Sequence, residues 1–89
     1  MFWVRWEQHA LNELAHFWTE GDSGLRQAIT AATQIIDKRL KQNPYPEGES
    51  RSRGRRITFC PTLAVIFRVE ADGRTVSVLQ IRLFKRRGQ

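Results

Sequence analysis

Apolar residues change their spacing along this chain of 89 residues, and the change limits the folds available to it. Between about residues 7 and 42, they recur at the three- and four-residue intervals of amphipathic helices, as Leu11, Leu14 and Trp18 do. From residue 55 they fall in short runs rich in β-branched and aromatic residues, which is typical of strands. A pattern of helices followed by strands predicts an α+β fold.

Two helices are predicted in the first half of the chain. The first contains the Leu11 stripe and ends at Gly21, a common stop signal. Asp22 or Ser23 can cap the second, whose apolar stripe covers residues 25–40 and which ends before Pro44. The connection of about three residues predicts an antiparallel helical hairpin.

Four strands complete the predicted element order β-α-α-β-β-β. One strand precedes the helices at residues 2–6, and three follow a polar loop at residues 43–54, in the order 55–60, 63–70 and 75–84. The strands are expected to form a sheet that carries the helical hairpin on one face.

Two details of the strand region specify the sheet further. Asp72-Gly73 favours a two-residue type I′ hairpin turn, because both residues tolerate positive φ. Both faces of the run at residues 63–67 are apolar, which predicts a central strand covered on one side by the helices.

Length and composition restrict the class of protein. A chain of this size forms one domain, so residues 1–89 are treated as a single unit, and its hydrophobic share of 40% is enough for a packed core. The one cysteine, Cys60, cannot form an internal disulfide and is expected in the core. Neither a signal-peptide pattern nor a membrane-spanning apolar run is present. We therefore expect a soluble, cytoplasmic protein.

Positive charge is concentrated in the second half of the chain. Residues 1–37 contain two arginines and five acidic residues, a net charge of −3. Residues 38–89 contain thirteen Lys or Arg and four acidic residues, a net charge of +9. This asymmetry favours a polyanionic partner, either nucleic acid or an acidic protein segment, and a solvated basic surface is the alternative.

The sequence has no recognisable cofactor or metal motif. It lacks a glycine-rich phosphate loop and a dinucleotide fingerprint. His9 and His16 lie two helical turns apart, about 10 Å, which is too far for a two-ligand metal clamp. We expect no cofactor and no metal.

Arginines form the most distinctive cluster. Four fall within six residues and two lie on the strands that follow: Arg51, Arg53, Arg55, Arg56, Arg68 and Arg82. Arg55 and Arg56 point to opposite faces if they open a strand. Guanidinium groups bind phosphate through a fixed fork and stack on bases, so the cluster predicts either a polyanion site or a solvated sheet face.

Four segments together carry a resemblance to a known family. They are Ala10-Leu11-Asn12-Glu13-Leu14, Ile36-Asp37-Lys38-Arg39-Leu40 with Asn43-Pro44, Gly54-Arg55-Arg56-Ile57-Thr58, and Leu63-Ala64-Val65-Ile66-Phe67-Arg68-Val69 before Asp72. In this order and spacing they resemble the RelE/ParE toxin superfamily, over nearly the whole chain. The resemblance implies a toxin of a type II toxin-antitoxin module, as used in plasmid stabilization, that a cognate antitoxin neutralises. It also implies a helical hairpin on a twisted antiparallel sheet whose other, concave face holds the active site.

The superfamily has two activities. RelE-type members cut messenger RNA on the ribosome, whereas ParE-type members poison DNA gyrase. In the cleaving members, a Glu or Lys lies before the second strand, an Arg opens the third strand, and a Tyr, often with a His, ends the last strand. These groups move protons and stabilise the phosphorane charge without a metal.

Mapping that pattern onto this chain gives candidate site residues. The catalytic candidates are Glu49, Arg55, Arg56 and Arg82. The candidates for binding target or nucleic acid are Arg51, Arg53, Arg68, Lys85 and Arg86. The chain departs from the cleaving pattern at Ala64, Leu83 and Phe84, which stand in place of the Arg, His and Tyr. Phenylalanine cannot donate a proton, and loss of a general acid costs about 100-fold to 10,000-fold in rate.

Two functions are therefore expected, and a toxin relic that binds its antitoxin without poisoning a target is a third alternative. The first is a ParE-like toxin that arrests growth by binding a target such as DNA gyrase. The second is a RelE-like, metal-independent endoribonuclease with an arginine-rich, rewired site that acts on messenger RNA at the ribosome. In either case, an acidic, amphipathic antitoxin segment is expected to fold onto the basic half, beside exposed candidates such as Trp3 and Phe84.

Overall fold

The computed structural model describes residues 1–47, 49–50 and 54–84, with the backbone alone at 49 and 50. Its elements are β1 (Trp3–Trp6), α1 (Gln8–Glu20), α2 (Ser23–Gln42), β2 (Glu49–Ser50), β3 (Arg55–Cys60), β4 (Leu63–Val69) and β5 (Thr75–Leu83). The predicted α+β order is confirmed, with one addition, because the two-residue strand β2 lies within the region predicted as a loop.

The strands form one five-stranded sheet in the order β1-β5-β4-β3-β2. Strand β4 is central, as its two apolar faces predicted. Neighbouring strands from β2 to β5 are antiparallel, but β1 pairs with β5 in parallel, so the sheet is mixed. No tight turn joins β1 to β5, so their relative direction is set by the path of the chain and not by a hairpin.

The two helices form the predicted antiparallel hairpin, since residues 11–19 of α1 and residues 29–34 of α2 line one groove between them. Asp22 is the cap of α2, and its Oδ1 accepts a hydrogen bond of 2.8 Å from the Leu25 backbone N–H. A Cβ on Gly21 would lie 2.9 Å from Leu25 Cδ2, so glycine lets the connection pass close to the Leu25 side chain.

The core lies between the helical hairpin and one face of the sheet. Its fully buried side chains include Phe67 and Val65 of β4, Ile81 of β5, and Ile36 and Leu40 of α2. Cys60 is 4% exposed and belongs to this core, as predicted. Burial of a side chain the size of Phe67 contributes about 1.5–3 kcal/mol, so the packing of α1 against β5 and of α2 against β4 holds the layers together.

The β4-β5 hairpin is confirmed, but its turn differs from the predicted two-residue turn. Glu70 N–H donates to Thr75, and residues 71–74 form a four-residue loop. Within it Gly73 adopts φ 70° and donates to the Glu70 carbonyl. The Asp72 carboxylate accepts hydrogen bonds from the backbone N–H groups of Arg74 and Thr75, and these bonds stabilise the wider loop.

Strand β5 also contains a bulge. The register with β4 shifts between Ile66 and Phe67, where Ile66 pairs with Gln80 and Phe67 with Val78. Leu79 is therefore the extra residue, and the strand bends at this point. Among the described residues, no helix is both long and apolar enough to cross a membrane.

Candidate functional site

The sheet face opposite the helices is the candidate site, and we call it the open face. Side chains alternate along a strand, and residues paired across neighbouring strands point the same way. The register therefore places on this face Trp3 and Arg5 of β1, Arg55, Ile57 and Phe59 of β3, Ala64, Ile66 and Arg68 of β4, and Thr75, Ser77, Gln80 and Arg82 of β5.

Three arginines lie in one row across the open face. Arg55 pairs with Arg68, Arg68 with Ser77, and Ser77 with Arg5, so the row crosses four strands. We call Arg55, Arg68 and Arg5 the arginine row. With strands about 4.8 Å apart, its backbone positions span roughly 14 Å, which places three guanidinium groups on one end of the face.

The Glu70 carboxylate binds two members of the arginine row. Its Oε2 lies 3.3 Å from Arg68 Nη2 and 3.7 Å from Arg5 Nη2, and it accepts a hydrogen bond from the Ser77 hydroxyl. Arg5 Nη2 also donates to Ser77 Oγ at 3.0 Å. The Ser77 hydrogen bond, followed by the hydrogen bond and charge of Arg68, lowers the pKa of Glu70 despite partial burial. Glu70 is therefore a stable anion and a poor general base.

The other end of the open face is aromatic. Phe59 and Phe84 pack edge to face, with ring centroids 5.6 Å apart and an interplanar angle of 87°. Phe59 is still 53% exposed, and Ala64 lies between it and Arg82 in the register. We call Phe59, Ala64, Phe84 and Arg82 the aromatic patch. It contains two of the positions, Ala64 and Phe84, at which the sequence departs from the cleaving pattern.

The structure brings together only some of the predicted site residues. Arg55 and Arg68 are neighbours in the arginine row, whereas Arg82 lies at the other end of the face, beside Ala64. On β3, Arg55 and Phe59 are four residues apart, about 13 Å, so the two ends are separate regions.

Arg56 points to the opposite face from Arg55, as the alternation predicted. Its Nη1 donates to the Tyr45 carbonyl at 3.2 Å, and its guanidinium carbon lies 5.9 Å from the centroid of the Tyr45 ring. This contact attaches the loop after α2 to β3, away from the open face.

The side chains of the remaining predicted residues are outside the described part of the chain. The backbone of Glu49 pairs with that of Ile57. The side chain of Glu49 and the residues Arg51, Arg53, Lys85 and Arg86 lie outside the described residues.

A second exposed surface is a groove between α1 and α2. Its apolar lining includes Leu11, Leu14, Trp18 and Ile29, and its volume is about 530 Å³. Trp18 is 44% exposed, and the Arg26 guanidinium carbon lies 4.3 Å from the ring centroid. Arg26 also donates from Nε to the Trp18 carbonyl at 2.9 Å, so the aromatic ring is held in place at the groove.

No group of three metal-ligating side chains occurs within residues 1–47 and 54–84. His9 Nε2 instead lies 3.6 Å from Glu13 Oε2. His16 packs edge to face against Phe17, with centroids 5.9 Å apart. The two histidines thus have separate local contacts, which agrees with their helical spacing.

Comparison with known proteins identifies the fold. A chain of the RelBE2 toxin-antitoxin complex from Mycobacterium tuberculosis matches with a TM-score of 0.74 and 18% identity, covering 92% of this chain and 96% of that one. A chain of the chromosomal ParDE system from P. aeruginosa matches with a TM-score of 0.76 and 20% identity, covering 96% and 98%. The isolated E. coli RelE toxin matches with a TM-score of 0.59 and 11% identity, covering 99% and 89%.

Neither protein-family models nor curated proteins yield a match to this sequence. The relationship is therefore visible in the arrangement of helices and strands. The chain has the fold of the RelE/ParE toxins, which confirms the fold that the sequence resemblance implied.

Proposed function

We propose that this chain is the toxin of a type II toxin-antitoxin module, that it arrests growth by binding a target protein such as DNA gyrase, and that a cognate antitoxin neutralises it. The shared fold supports the toxin assignment, because the matches to chains of the RelBE2 and ParDE systems cover nearly the whole of this chain and of each matched chain. Gyrase and the ribosome are both inside the cell, so the proposal places the protein in the cytoplasm.

The chemistry of the open face favours binding over cleavage. Among its described side chains there is neither a His nor a Tyr, and Glu70 is held as an anion by Ser77 and Arg68. Cleavage of RNA without a metal requires a group that donates a proton to the leaving oxygen. The aromatic patch has Phe84 where the cleaving members have that donor. This replacement is the observation that carries the proposal.

The arginine row favours a second candidate, a RelE-like endoribonuclease. Three arginines across about 14 Å can hold successive phosphates, and Arg55 is exposed. Such an enzyme would use arginines for charge stabilisation, with its proton transfers assigned to other groups. Glu70 opposes this role, because its carboxylate already binds Arg5 and Arg68 and repels phosphate.

The helical groove supports an antitoxin partner. It is lined by apolar and neutral side chains, and Trp18 is fixed there while remaining half exposed. An amphipathic helix that inserts its apolar face into the groove would bury Leu11 and Trp18 together. Acidic residues on the same antitoxin segment would then complement the basic half of the toxin.

Four measurements test the assignment. Induced expression of the chain should stop growth, and coexpression of the protein encoded beside it should restore growth. Purified chain should inhibit supercoiling by DNA gyrase and leave ribosome-bound messenger RNA intact. Intact supercoiling together with cleaved messenger RNA would establish the second candidate, and normal growth at high expression would contradict both.

A further inference from the structure

We propose that the aromatic patch is the surface on which this toxin holds its target, and that the target supplies a protein segment with an apolar side chain beside a carboxylate. This inference rests on the proposed function and specifies the part of the molecule that performs it. The apolar side chain would pack on Phe59 and Phe84, and the carboxylate would pair with Arg82.

The aromatic pair has the properties of a binding anchor. Phe59 is 53% exposed although it lies on a strand next to the centre of the sheet. Its ring is held edge to face by Phe84, whose backbone N–H is fixed to the Thr62 carbonyl at 3.0 Å. Because both rings are already ordered, little conformational entropy is lost when a partner packs against them. Exposed, preorganised aromatic side chains are common hot spots of protein interfaces.

Arg82 supplies the complementary charge. It is exposed and pairs with Ala64, which in turn pairs with Phe59, so Arg82 and Phe59 flank a residue with a single methyl group. Two strand spacings separate their backbones, about 10 Å, which a short peptide segment can bridge. The same face already binds one carboxylate through arginine, since Arg5 and Arg68 both contact Glu70.

The composition of the face favours a protein segment over nucleic acid. Between the aromatic patch and the arginine row lies a row formed by Ile57, Ile66 and Gln80, whose aliphatic members offer phosphates no contact. Glu70, at the far end, adds a negative charge that repels phosphates. A single strand of RNA laid along the face would thus meet favourable groups only at separated points, whereas a peptide can use the apolar row as well.

Two variants and two matched controls test the patch. Phe59→Ser removes the exposed ring, and Arg82→Glu reverses the charge beside it. Tyr45→Ser removes a ring that is 50% exposed from the loop after α2, away from the open face. Arg74→Glu reverses an exposed charge in the loop at the opposite end of β5. Each protein is assayed for growth arrest over a range of inducer, for retention of purified DNA gyrase, for binding to the antitoxin and for thermal unfolding.

The expected result is selective loss of target binding. Phe59→Ser and Arg82→Glu should each weaken growth arrest and gyrase retention by about tenfold or more, as for hot-spot residues. Both should keep antitoxin binding and a cooperative unfolding transition. Tyr45→Ser and Arg74→Glu should remain within about twofold of the unmutated chain, because they lie outside the patch.

Other outcomes overturn the inference. If both patch variants arrest growth as the unmutated chain does, the patch is not the target surface. If they lose antitoxin binding while growth arrest persists, the antitoxin occupies the patch. If arrest is accompanied by cleaved messenger RNA that Arg55→Glu abolishes, the occupant is RNA. If the unmutated chain does not arrest growth, the proposed function is wrong, and the inference that rests on it is wrong as well.

Discussion

The Glu13 carboxylate on α1 accepts a hydrogen bond of 2.8 Å from the backbone N–H of Ile81 on β5, 68 residues further along the chain. Ile81 follows the bulge in β5 and is fully buried. A side chain thus supplies the acceptor for a buried N–H next to the point where the strand register shifts. The contact fixes the first helix to the strand that carries Arg82.

Replacement of Glu13 should therefore destabilise the fold. Glu13→Ala leaves the Ile81 N–H without an acceptor, and we expect a loss of about 1–3 kcal/mol in the free energy of unfolding. Glu13→Gln keeps an acceptor oxygen and should lose less. Urea unfolding measures both, with Glu20→Gln on the exposed end of α1 as the control. A Glu13→Ala protein as stable as the control would show that water satisfies this N–H.

Contacts of this kind explain which parts of the structure could be predicted from the sequence. The helices, the central strand and the Asp22 cap follow from local patterns of apolar and capping residues. The parallel pairing of β1 with β5 depends on how distant segments meet, and no local pattern encodes it. Arg5 was consequently missed as a member of the arginine row, although its alternation with Val4 and Trp6 placed it away from the core.

The turn at residues 71–74 is a second feature that the sequence predicted only in part. Asp72-Gly73 correctly predicted a hairpin, but the length of the loop depends on hydrogen bonds that the Arg74 and Thr75 N–H groups donate to the Asp72 carboxylate. Glu70 was also missed as a site residue. Its importance comes from Ser77 and Arg5, which only the sheet brings to it.

Stability at acidic pH should depend on Glu70. Its pKa is lowered in the folded state from an ordinary value of 4.5. Ionised Glu70 therefore contributes fully to the free energy of unfolding above pH 4.5, and this contribution is lost as pH falls through the folded pKa. The Glu70→Gln protein should be less stable than the unmutated chain at pH 7, and the difference should narrow as pH falls below about 4.5.

Urea unfolding at several pH values between about 7 and 3 measures this difference. The pKa of Asp72 is also lowered, chiefly by the Arg74 and Thr75 N–H groups, but Asp72 is present in both proteins and its effect cancels. A difference that stays constant down to pH 3 would contradict the assignment of the effect to ionised Glu70.

Two glycines should respond in opposite directions to replacement by alanine. Gly73 has φ 70°, a conformation in which a Cβ costs about 1–2 kcal/mol, so Gly73→Ala should lower stability. Gly24 lies in the first turn of α2, and a Cβ there would be 3.5 Å from Asp22 Oδ1, an ordinary contact. Gly24→Ala should raise stability by up to about 1 kcal/mol, because alanine restricts the unfolded chain. Thermal melting curves of the two variants test the sign of each change in stability. A shift of the melting temperature in the same direction for both variants would contradict this interpretation.

Replacement of Trp18 should weaken antitoxin binding and leave toxicity unchanged. Trp18→Ser removes the half-exposed ring of the helical groove, and we expect antitoxin affinity to fall by about tenfold or more. The helical hairpin should persist, because Arg26 still donates to the carbonyl groups of residues 18 and 19. Growth arrest should continue, since the groove and the aromatic patch lie on opposite sides of the sheet, and Phe59→Ser should give the reverse pattern.

Tyr45→Ser is the matched control for this pair, because it removes a half-exposed ring that belongs to neither surface. Antitoxin affinity is measured by titration calorimetry, and toxicity by the inducer level that halves the growth rate. If Trp18→Ser and Phe59→Ser both weakened the same activity, one continuous interface would have to serve both partners. If Trp18→Ser weakens only antitoxin binding and Phe59→Ser weakens only growth arrest, antitoxin and target bind at separate places on this fold. Neutralisation would then act through steric exclusion or a change in shape, and not through direct competition for Phe59.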